Sequence, residues 1–208
     1  MRAPNVTLHF LKTVQWCLLS VLLFPALACD SGPVAPENAG LGYFPLQVGN
    51  RWTYGLVGSD SSVTKWRYEI VGKKRIGRYD YFILQRSFEA TGFVDSTFYR
   101  PGPGGQIFVN RDASLFLDEL YIDFGRAPGQ KWHSFGEYEA WISRKGFTKR
   151  VPAGVFNNCV EVAFDIPGAV DDEFWDVYAP GVGLIEMNSA WISGVKLQSA
   201  VVNGVRFP

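Results

Sequence analysis

Val63-Thr64-Lys65-Trp66-Arg67-Tyr68-Glu69-Ile70-Val71 is the stretch that decides the fold. Trp66, Tyr68 and Ile70 alternate with Lys65, Arg67 and Glu69, a period of two that places rings on one face and charges on the other. A strand with one wet face suits an antiparallel sheet, because parallel strands are buried on both sides. On that reasoning Trp66 and Tyr68 are expected in the core.

The same signature recurs on either side. Arg51 to Val57 precedes it, closed by the turn Gly58 to Ser62. After a turn at Gly72 to Arg78 come strands over Tyr79 to Phe88, Thr97 to Arg100, Gln106 to Arg111 and Leu117 to Phe124. Further strands are expected over Glu137 to Phe147, Asn158 to Ile166, Glu173 to Tyr178, Leu184 to Met187 and Trp191 to Val202. Gly and Pro clusters at Pro101–Gly105, Pro152–Gly154 and Ala179–Gly183 punctuate them. Only Asp112 to Leu120 reads as a short helix. Strands in series without intervening helices give an all-β fold, a single antiparallel meander over residues 43–208. Large apolar groups on both faces of several strands imply that it curls into a strongly curved sheet, half-barrel or barrel.

The N-terminal region reads differently. Trp16 to Ala28 is an apolar run preceded by Arg2 and Lys12, too short to span a bilayer and ended by the small-x-small site Ala26-Leu27-Ala28. Residues 1–28 are therefore expected to be a signal peptide. A cysteine directly after the cut resembles the lipobox of bacterial lipoproteins, although Ala26 stands where leucine is usual. That resemblance implies acylation of Cys29 and a membrane anchor; the alternative is plain secretion with a free thiol. Residues 29–42, small, polar and proline-rich, then form a flexible tether. Asp30 resembles an inner-membrane retention signal of some enteric bacteria, and the choice of membrane stays open.

Tyr43-Phe-Pro-Leu-Gln-Val-Gly-Asn-Arg-Trp-Thr-Tyr54, Val151-Pro-Ala-Gly-Val-Phe-Asn-Asn-Cys-Val-Glu-Val162 and Trp175-Asp-Val-Tyr-Ala-Pro-Gly-Val-Gly-Leu-Ile185 add a second resemblance. Together they are similar to a broad group of uncharacterised bacterial lipoproteins with an FPLxVGNxWxY opening followed by VPAGxF and YAPGVGL segments. The group implies an antiparallel β domain and brings no known activity.

Charge excludes some functions. Arg2 and Lys12 leave with the signal, so the remaining 180 residues hold 18 basic and 20 acidic groups, net −2. No basic face points to nucleic acid. His133 is the single histidine after cleavage and Cys159 the single unlipidated cysteine, too few for a zinc site, and no cofactor is expected. Cys159 reads as a buried hydrophobe. Asp171-Asp172-Glu173 with Asp176 is the densest acidic group and reads as a solvated hairpin tip.

Aromatic residues make up 15% of the chain and offer either a core or a binding surface for lipid, glycan or protein. Trp175 and Tyr178, near the Pro180–Gly181 hairpin, and Trp132 are the candidate ligand contacts. If the sheet encloses a cavity, Trp66, Tyr68, Phe164 and Trp175 are the inward positions expected to line it. The functional expectation is a membrane-anchored, exported, non-enzymatic binding or envelope-structural domain, its partners the membrane and an apolar ligand or envelope protein. The rival is a secreted hydrolase using a pair of carboxylates at the floor of a cleft.

Overall fold

The structure, a computed structural model, describes residues 42–56, 65–114, 117–190 and 194–208. The signal, Cys29, the tether up to residue 41, the Gly58–Ser62 turn and Trp191 lie outside the described residues.

The domain is all β: one antiparallel sheet, nearly closed and barrel-shaped. Its strands are β1 (Arg51–Leu56), β2 (Lys65–Ile76), β3 (Tyr79–Phe88), β4 (Val94–Pro101), β5 (Gln106–Asn110), β6 (Glu119–Asp123) and β7 (Trp132–His133). They continue as β8 (Glu139–Val151), β9 (Gly154–Asp165), β10 (Phe174–Ala179), β11 (Gly183–Ser189), β12 (Val195–Val202) and β13 (Val205–Phe207). The ladder runs β6-β5-β4-β3-β2-β1-β12-β11-β10-β9-β8-β7, and β13 pairs with β12. It is a meander in two arms, joined where the first and twelfth strands pair.

Where the expected boundaries shift, local chemistry explains it. The turn read at Gly72 to Arg78 is mostly strand: a bulge between Ile70 and Gly72 lets Lys73 to Ile76 pair with β3, leaving only Gly77-Arg78 to turn. The helix read over Asp112 to Leu120 is absent among the described residues. Asp112 Oδ1 accepts from the Ser114 N–H at 2.7 Å and Ala113 adopts a φ of 61°, a side-chain turn that competes with a helix. Glu119 onward then joins β5 as β6. The final hairpin, β12 to β13, turns at Asn203-Gly204, with Asn203 anchored by its N–H donating to Asn50 Oδ1 at 2.8 Å.

The two ends of this ladder, β6 and β7, are stitched by side chains instead of backbone pairing. Ser134 Oγ donates to the Tyr121 carbonyl at 2.8 Å, and Trp132 Nε1 reaches the same oxygen at 3.4 Å. Gly136 N–H donates to Glu119 Oε1 at 2.8 Å, and Lys145 Nζ to the Phe124 carbonyl at 3.2 Å. The seam protects what would otherwise be exposed edge strands.

Bonds also cross the barrel. Trp52 Nε1 donates to the Val182 carbonyl at 2.7 Å and Tyr54 Oη to the Leu184 carbonyl at 2.9 Å, tying β1 to the β10–β11 turn and β11. Gly183, the first residue of β11, has a φ of +96°, and a Cβ there would lie 3.1 Å from Pro45 Cδ. The chain entering the barrel thus packs against the hairpin that closes one end. Farther out, the long β8–β9 hairpin folds against the final strands. Ala153 N–H donates to the Leu197 carbonyl, and Phe156 lies 5.9 Å from Phe207. Cys159 is fully buried in this packing, as a small hydrophobe should be.

Candidate functional site

The curled sheet does not fill its own interior. It surrounds a cavity of about 460 Å³, within the span of roughly 300–1,000 Å³ common to small-molecule sites. The inward rows of both arms line it. Trp66, Tyr68 and Ile70 come from β2, and Leu84, Arg86 and Phe88 from β3. Phe174, Asp176 and Tyr178 come from β10, opposite Tyr99 of β4 and Tyr121 of β6. Phe44, just ahead of β1, packs against Tyr99, Tyr121 and Tyr178 at 5.1, 6.3 and 6.1 Å and plugs that side. Elsewhere an aromatic run leads outward: Trp66 meets Phe88 edge-on at 5.5 Å, and Phe88 meets Phe93, whose surface is 53% exposed.

The polar groups in this wall are few. Arg86 Nε donates to Asp95 Oδ1 at 2.8 Å and its second nitrogen to Asp95 Oδ2, a bidentate pair that raises the guanidinium pKa. Arg111 lies 3.5 Å from Glu119 and over the Phe135 ring. Asp176 is different. It is 6% exposed, and its partners are two phenols: Tyr178 donates to Oδ2 at 3.2 Å and Tyr121 at 3.4 Å. No Lys or Arg among the described residues pairs with it. Burial pushes its carboxyl up to about 7, against which the two phenol hydrogen bonds pull down. Around it Tyr54, Tyr68, Tyr99, Tyr121 and Tyr178 all have raised pKa values, burial being the first cause and the Asp176 charge a further one in each.

The candidate contacts named from sequence fall in three different places. Tyr178 lines the cavity, fully buried in its wall. Trp175, its near neighbour on β10, points the other way by strand alternation and is half-buried away from the lining. Trp132 is buried at the seam, where its indole serves closure. Trp66 and Tyr68, expected as core, line the cavity, because the face they share looks into the barrel's unfilled interior. Phe164, expected as lining, is fully buried, stacked on Phe174 at 4.4 Å.

The acidic group is also redistributed. Asp171 and Glu173 are exposed, and Asp172 accepts from the Ile166 N–H. Asp176 does not belong to that tip: it stands mid-strand between Phe174 and Tyr178 on the inward row. An acid at an alternating apolar position was the available signal for it. Asp176 is the one carboxylate among the described lining residues, so they do not supply the paired acids of a hydrolase. His133 is exposed on β7, away from the lining. Among the described residues no group of three His, Cys, Asp or Glu side chains is arranged to hold a metal, and no helix is long and apolar enough to cross a membrane.

The sequence matches no protein-family model and no curated protein. Solved structures similar to it include a protein from Bacteroides fragilis described as exported with a YmcC-like fold, at 15% identity and a TM-score of 0.44, covering 74% of this chain and 96% of that one. Another, from Parabacteroides distasonis, is described as a lipoprotein, at 13% identity and a TM-score of 0.40, covering 76% of this chain and 97% of that one.

Proposed function

We propose that this chain is an exported bacterial lipoprotein, held in the cell envelope by acylated Cys29, whose β domain carries an apolar ligand without chemically altering it. The observation that supports binding is the cavity of about 460 Å³ walled by tryptophan, tyrosine and phenylalanine. Closely packed interiors leave few voids larger than a water molecule, so an aromatic space this large is a binding feature before it is a packing one. The anchor rests on the apolar run, the Ala26-Leu27-Ala28 site and the cysteine that follows. Diacylglyceryl plus an amide-linked chain would hold the protein on a membrane where one chain would not.

Two measurements test the reading. Metabolic labelling with an alkynyl fatty acid tags the wild type, and Cys29→Ser loses both the label and membrane fractionation; an unlabelled, soluble wild type leaves plain secretion. A neutral apolar fluorophore such as N-phenyl-1-naphthylamine brightens on saturable, one-to-one binding to the exported Cys29→Ser protein. A signal that never saturates contradicts a defined cavity site.

A further inference from the structure

We infer that the cavity recognises the positively charged end of an amphiphile, an ammonium or quaternary ammonium group seated between the Asp176 carboxylate and the surrounding tyrosine rings. This deepens the binding reading above and rests on it. Two observations converge. Asp176 is 94% buried by its 6% exposure, faces the cavity, and has phenol partners but no protein cation among the described residues. Its neighbours are the rings of Tyr121 and Tyr178, with Tyr54, Tyr68 and Tyr99 close enough to feel its charge. Aromatic faces carry a negative quadrupole, so rings around a buried carboxylate attract a cation and repel an anion.

The two cations of the lining are already answered. Arg86 is held bidentately by Asp95, and Arg111 faces Glu119 at 3.5 Å. A ligand carboxylate would have to displace one of these acids to find a partner. A ligand ammonium finds one waiting, and its apolar body follows the aromatic wall towards Phe88 and Phe93. The site is thus complementary to a cation in charge and to an alkyl or aryl chain in surface.

The ionisation of Asp176 sets a pH dependence. The groups facing it are the Tyr121 and Tyr178 hydroxyls, with Tyr54, Tyr68 and Tyr99 beyond; Arg86 and Arg111 line the cavity from the first arm, each paired with an acid, Asp95 and Glu119. Of these the carboxyl of Asp176, pushed up to about 7 by burial, changes charge near neutrality. A cation binds the ionised form, so its apparent affinity falls about tenfold between pH 8 and pH 6 as the competent fraction shrinks.

Calorimetry with octyltrimethylammonium, octyl glucoside and octanoate separates the charge from the shared tail, and tetramethylammonium tests the head alone. The exported Cys29→Ser protein brings no acyl chain of its own to compete. The expected result is octyltrimethylammonium binding about tenfold or more tighter than octyl glucoside at pH 8, with the loss at pH 6 confined to the cation. Measurable tetramethylammonium binding would mark the quaternary ammonium head as sufficient by itself; its failure beside a binding octyl form would mark an amphiphile. Asp176→Asn closes the gap between cationic and neutral probes, and if that variant does not fold, the wild-type pH titration decides alone. Equal binding of the two probes, or a preference for octanoate, overturns the inference while leaving the cavity reading intact. Binding of none of them overturns both.

Discussion

Tyr178 donates a hydrogen bond of 3.2 Å to Asp176, two residues earlier on the same strand, so a phenol and an acid share one inward row of β10. Both are buried, Tyr178 fully and Asp176 to 6% exposure. Burial pushes the acid up to about 7, from an unfolded value near 4. The native state thus holds a proton that the unfolded chain gives up between those values. The stability linked to this proton is complete below pH 4 and is lost as pH rises to 7. A shift of about three units corresponds to about 4 kcal/mol at most. Asp176→Asn removes the ionisable group, so it melts above the wild type at pH 8, and the difference closes towards pH 4. A difference that is the same at both pH values contradicts the assignment.

Two tryptophans on the cavity wall differ in their polar atom. Trp52 Nε1 donates to the Val182 carbonyl at 2.7 Å, whereas Trp66 Nε1 is buried without a hydrogen-bond partner. Trp52→Phe leaves a buried carbonyl unsatisfied and costs about 1–3 kcal/mol beyond the lost contacts. Trp66→Phe removes a buried, unpaired N–H and stays within about 1 kcal/mol of the wild type. Chemical denaturation of the two variants is the check, and equal losses would show that the indole N–H groups do not distinguish these sites.

Glu186 is buried, with Lys149 Nζ donating to it at 2.8 Å and Asn188 Nδ2 at 3.0 Å, while Lys196 stands 4.0 Å away. Lys149 comes from the far part of β8, so this pair clamps the β8–β9 hairpin onto β11. Lys149→Met leaves the buried carboxylate with only the Asn188 amide and the more distant Lys196 ammonium and costs about 3 kcal/mol, and adding Glu186→Met recovers most of that loss. Urea midpoints for the single and double variants measure the recovery. A double variant no more stable than Lys149→Met would mean that the carboxylate was never the problem.

The alternation in Lys65 to Ile70 was enough to predict an antiparallel, one-face-wet strand, and chains of such segments predicted a curled all-β domain. The extent of the strands was harder to read. The bulge after Ile70 carried β2 through a Gly-Lys-Lys-Arg segment that composition alone assigns to a turn, since pairing with β3 offered its backbone more than solvent did. At the other end, Asn203-Gly204 is the strongest short hairpin signal in the chain, yet β13 has only three residues of its own and little apolar pattern to draw attention. For the site, Tyr178 was legible as an aromatic of the closing hairpin. Asp176 was hidden by its nearness in sequence to Asp171 to Glu173, although only alternation decides that it faces inward while they do not. Whether Trp66 and Tyr68 meet another side chain or empty space depends on barrel curvature, which no single strand encodes.

The cavity is the centre of the account, and filling it is the most direct test. Leu84, 8% exposed, faces it from the middle of β3, with Thr97 as its cross-strand neighbour. Leu84→Trp places an indole in the void. The measurement is the affinity of the filled variant for octyl glucoside by titration calorimetry, beside its melting temperature. The predicted result is a melting temperature equal to or above that of the wild type, with affinity lost about tenfold or more because the space is taken. A folded Leu84→Trp that binds the probe as tightly as the wild type would contradict the claim that this cavity is where ligand goes.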